Sequence, residues 1–78
     1  MIELVRLPAG ADPPLAEGRV CIRPDGGGFV VEVYIDRPRP VFRYVGGLDS
    51  FDAALTRAQH CARQVAAAAI YAIGCEER

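Results

Sequence analysis

The sequence predicts an α+β fold, an antiparallel three- to four-stranded meander sheet with one C-terminal helix packed on one face. Two observations carry the prediction. Between residues 19 and 46, short segments alternate apolar and polar side chains with a period of two, and Gly- and Pro-rich turns separate them. From residue 50 to 73 the period changes to 3.6. At 100° per residue, Phe51, Ala54, Leu55, Ala58, Cys61, Ala62, Val65, Ala66, Ala69, Ala72 and Ile73 fall in one unbroken arc, while Asp52, Thr56, Arg57, Gln59, His60, Arg63 and Gln64 lie outside it. A chain of 78 residues has material for one small core, so residues 1–78 read as a single domain.

Residues 1–7 (MIELVRL) read as a strand that is apolar on both sides, as a central or doubly covered strand would be. Residues 8–18 carry three prolines and two glycines and read as a loop. Its length makes it a candidate for mobility or binding. Residues 19–23 form a strand with Val20 and Ile22 on one face and Arg19, Cys21 and Arg23 on the other. A glycine turn leads to residues 29–36, with Phe29, Val31, Val33 and Ile35 opposite Val30, Glu32, Tyr34 and Asp36. Arg37-Pro38-Arg39-Pro40 is a stiff connection. In the strand over residues 41–46, Arg43 is expected to face outward with Val41 and Val45, which puts Phe42 and Tyr44 on the core. Placing the N-terminal strand beside residues 19–23 gives the strand order 1-2-3-4.

The helix is predicted over residues 50–73. Asp49 or Ser50 caps it, Asp52 suits the positive end of its dipole, and Gly74 ends it in a left-handed conformation. Its buried arc is mostly alanine, which favours helix and permits close packing.

Composition excludes several function classes. With 51% hydrophobic and 24% charged residues the chain is globular rather than disordered. No 18-residue apolar span is present, and the first ten residues contain Glu3 and Arg6, so a cytoplasmic protein is expected. The net charge of −1 disfavours bulk attraction to a polyanion. Three cysteines (Cys21, Cys61 and Cys75) without C-x-x-C spacing make neither a disulfide framework nor a zinc site. His60 points about 100° from Cys61, so the two do not converge from one helix face. The triple glycine precedes a strand, not a helix, and so is no phosphate loop. No catalytic residue, metal ligand or cofactor-binding residue is assigned.

Residues 47–58 read GLDSFDAALTRA. A strand, glycines and then F-D-x-A leading into an alanine-rich helix resembles small bacterial ββα domains of unknown function. It also resembles the strand-to-helix junction of AP2-type DNA-binding domains. The resemblance spans about residues 19–72. It implies three antiparallel strands on one helix and, by position, Arg19, Arg23 and Arg43 as DNA-contacting residues on the open sheet face.

Two surfaces are left over. The open sheet face combines Val30, Tyr34, Val41 and Val45 with Arg19, Arg23 and Arg43, and Glu32 stands between arginines as a cross-strand ion partner. The C-terminal half of the predicted helix offers Ala67, Ile70 and Tyr71. The expected function is therefore a non-enzymatic protein-interaction or assembly module, self-associating as a homodimer or bound to a protein partner, with Val30, Tyr34, Val41, Val45, Ala67, Ile70 and Tyr71 as candidate interface. The alternative is a nucleic-acid-binding module using Arg19, Arg23 and Arg43. No membrane or cofactor partner is expected.

Overall fold

Residues 2–13, 18–35 and 39–75 are described in the structure, a computed structural model. The loop residues 14–17 and the Asp36, Arg37 and Pro38 positions of the expected third strand and stiff connection lie outside them. The elements run β1 (Glu3–Leu7), β2 (Gly18–Asp25), β3 (Gly28–Ile35), β4 (Val41–Leu48), α1 (Phe51–Val65) and β5 (Ala69–Ile73). The architecture is α+β, with one helix on a five-stranded sheet, and β2, β3 and β4 form the antiparallel meander.

The predicted helix is two elements. Ser50 caps its start, the hydroxyl accepting from the Ala53 N–H at 3.1 Å. Helical hydrogen bonding stops at Val65. Ala66 takes the left-handed conformation (φ 57°, ψ 37°), its N–H pointing back to the Ala62 and Arg63 carbonyls, and the Ala67 N–H bonds to the Ala62 carbonyl at 2.9 Å. This is a Schellman ending built on alanine instead of glycine. Residues 69–73 then run as a strand, and Gly74 turns the chain after that strand, not after the helix.

That fifth strand also corrects the strand order. The sheet reads β1-β5-β2-β3-β4. β5 lies between β1 and β2 and is parallel to both, pairing Glu3 with Ala69 through Leu7 with Ile73, and Val20 with Ile70 through Ile22 with Ala72. β1 is thus an edge strand and does not pair with β2. Because β4 and β5 run in the same direction, a crossover must join them, and α1 supplies it.

The core lies between α1 and one sheet face. Ala54, Ala58 and Ala62 are fully buried and let the helix axis approach Val20, Ile22, Val31, Val33 and Ile70. Burying each of the larger side chains contributes roughly 1.5–3 kcal/mol. Phe51 meets Phe29 edge-on at 5.9 Å between ring centroids, and the Arg6 guanidinium lies 5.0 Å over its ring. Close approach has a local requirement at Gly18, where a β-carbon would come within 2.7 Å of the Val65 carbonyl oxygen. The helix lies mainly over β2 and β3 and only grazes β4. No helix among the described residues is long and apolar enough to cross a membrane.

Candidate functional site

β4 is where the structure departs most from the expected surfaces. Its register sets Val41 against Ile35, Phe42 against Tyr34, Arg43 against Val33, Tyr44 against Glu32 and Val45 against Val31. Opposed residues share a face, so Val41, Arg43 and Val45 lie on the helix side with Val31, Val33 and Ile35. Phe42 and Tyr44 lie on the open side, 61% and 55% exposed. This inverts the expected orientation of the strand. Between the pairs Phe29–Leu48 and Val31–Val45, β4 carries one extra residue at Gly46-Gly47, a bulge that Gly47 supports at φ 74°. The bulge brings both Val45 and Leu48 onto the core. Arg43 is tolerated on the helix side because α1 barely reaches β4, leaving its guanidinium in water.

The open face consequently has an ordered composition. One row across it holds Arg19, Tyr34 and Phe42, with the Arg19 guanidinium 5.1 Å over the Tyr34 ring. The next row holds Tyr71, Cys21, Glu32 and Tyr44. Glu32 bonds diagonally to Arg23 Nε at 2.7 Å, which realises the expected cross-strand ion pair and holds the Arg23 guanidinium charged even more firmly. The Tyr44 hydroxyl donates to Asp25 at 3.4 Å. Asp12 and Pro13 from the loop after β1 join these rows as walls of a cavity of about 450 Å³ over Cys21. Burial pushes the Cys21 thiol up, against the opposing pull of Arg19 and Arg23. Cys75 is half-buried, its thiol donating to the Ile22 carbonyl at 3.4 Å.

The helix side of β4 carries a second concavity. Val33, Ile35, Val45 and Val65 form its apolar floor; Arg43, Arg57, His60 and Gln64 form its rim, around a volume of about 460 Å³. It continues past Arg57 and His60 toward Leu48 and Thr56. Among the described residues no carboxylate lines either part, and neither Arg43 nor Arg57 has an ion pair.

The expected interface residues therefore disperse. Ala67 (8% exposed) and Ile70 (1% exposed) are inside the domain's own core, and Val30 is buried as well. Tyr34 and Tyr71 are half-buried on the open face, and Val41 and Val45 stand on the opposite side. Of the candidate nucleic-acid contacts, Arg19 and Arg23 share the open face, but Arg43 is on the other face and cannot join them. The sequence reading missed Phe42 and Tyr44 as surface residues, and passed over Arg57 and His60 as ordinary solvated positions. The one available signal was Gly46-Gly47, a site able to shift a strand's phase. No group of three or more metal-ligating side chains occurs among the described residues. Comparison with family models, with curated proteins and with solved structures finds no match.

Proposed function

We propose that this chain is a small non-enzymatic protein-interaction module that takes a partner strand on the free edge of β4. The observation that carries this reading is positional. Every large hydrophobic side chain that is exposed among the described residues, Val41, Phe42 and Tyr44, lies on that one edge strand. An edge strand presents unpaired N–H and C=O groups along its length, and β4 is eight residues long against five for β1. Main-chain pairing supplies affinity in such an arrangement, and side chains on the two faces supply selectivity. Phe42 and Tyr44 are the anchors, with Tyr34 behind Phe42 in the same row. The test is a double variant, Phe42→Asp with Tyr44→Asp, whose melting is first compared with wild type. A partner recovered by the wild-type chain, whether another protein or a second copy, should be lost by this variant. Retention of every partner by the variant would overturn the reading.

A second reading keeps single-stranded nucleic acid, because Tyr34, Phe42 and Tyr44 beside Arg19 form a stacking surface. Asp12, Asp25 and Glu32 interleave with it, and Glu32 already engages Arg23. Binding should therefore be no tighter than micromolar. Tight, salt-sensitive binding that an Arg19→Ala, Arg23→Ala variant loses would promote this reading over the first.

A further inference from the structure

Resting on the β4 reading, we infer that the partner strand is acidic at its centre and carries the pattern apolar–Asp/Glu–apolar. The inference comes from what the two flanks of β4 offer an added strand. A residue placed opposite Arg43 points to the helix side, because directly opposed residues in a sheet share a face. There it meets the Arg43 guanidinium, with Arg57 and His60 on the far rim of the same concavity and no carboxylate among the described residues lining it. Its two chain neighbours point to the opposite side, where they fall opposite Phe42 and Tyr44. The helix flank thus selects a negative charge, and the open flank selects apolar or aromatic side chains.

The same geometry disfavours a second copy as the occupant. A two-fold pairing centred on Arg43 would put Phe42 opposite Tyr44, an acceptable aromatic pair, but it would also put Arg43 opposite its own copy. Like charges directly opposed in a sheet repel, and a charge in mid-strand is a common device against edge-to-edge pairing. An acidic partner removes the repulsion and uses both Arg43 and Arg57, which have no ion pair among the described residues.

The experiment uses two short fluorescein-labelled peptides, threonine throughout except for a central valine–glutamate–valine or valine–lysine–valine. Binding is read by fluorescence polarisation at low and high ionic strength. The glutamate peptide should bind about tenfold more tightly than the lysine peptide, consistent with reversing one cross-strand charge pair, and the difference should shrink in high salt. Arg43→Glu should invert the preference, and Arg43→Gln should abolish it; the position is exposed, and melting curves verify that the variants fold. Equal binding of the two peptides, an unchanged preference in Arg43→Glu, or a stable dimer dissociated by changes in β4 would each overturn the inference. If neither peptide binds while the Phe42→Asp, Tyr44→Asp variant still loses a partner, the acidic partner is wrong and the β4 reading stands. If neither peptide binds and that variant keeps its partners, both fall.

Discussion

Ala66 holds a backbone conformation that a β-carbon resists, at a cost of roughly 1–2 kcal/mol. Ala66→Gly should stabilise the domain by up to about 1 kcal/mol once the added freedom of the unfolded chain is subtracted. For a domain of this size that raises the melting temperature by roughly 4–8 °C, measurable by calorimetry. An unchanged or lowered melting temperature would contradict the assigned helix ending. Cys21 makes a second prediction at this scale. Its thiol pKa is raised in the folded state by burial, so the folded chain holds the proton more tightly than the unfolded one. Stability from this group is fully present below the ordinary thiol value of the unfolded chain and is lost as pH rises through the folded value. Denaturant unfolding between neutral and alkaline pH should show a decline that Cys21→Ala flattens. Cys75 shifts in the same direction, so some decline should remain in that variant. Neither feature was legible in the sequence. An alanine gives no sign that it will turn left-handed, and the alternation of residues 19–23 placed Cys21 on the open face without saying what would shield it.

Ala58, in α1, is fully enclosed against β2 and β3, so Ala58→Glu would force a carboxylate into space that has neither room nor a partner. The loss should be several kcal/mol, comparable with the roughly 5–15 kcal/mol that holds a small domain folded. Circular dichroism should report a largely unfolded chain, and a variant melting within a few degrees of wild type would contradict the buried face. This half of the helix was legible because polar residues mark its outer side turn by turn. The other half was not. Residues 69–73 run between two strands and are buried or half-buried on both faces, so they carry no polar phase, and an apolar run of that kind satisfies a helical wheel and a strand equally well. β4 failed for a related reason: its alternation was correctly read as a strand, but the choice of face rested on one arginine, and the bulge that fixes the face acts beyond the end of that pattern.

At the scale of the molecule, the apolar surplus that suggested two interfaces reduces to one exposed strand among the described residues. β5 is absorbed by the sheet, and the large hydrophobic side chains that remain exposed among the described residues gather on β4. Light scattering across a dilution series should give a monomer for the isolated chain, since Arg43 opposes pairing of two β4 edges. A dimer at micromolar concentration that Tyr44→Asp dissociates would restore self-association. The α+β class, the meander of β2, β3 and β4 and the helix start were readable from local periods. The five-strand order was not, because a parallel neighbour far along the chain leaves no mark on either strand's own sequence. That order bears on how the chain acquires its fold during synthesis. The strand joining β1 to β2 is the last to be made, so β1 has no neighbour, and β2 keeps an open side, until residues 69–73 emerge from the ribosome. The meander and helix can assemble earlier, but closure of the sheet waits for the end of this stretch. Until then the nascent domain exposes a second edge, on β2, that the finished protein conceals.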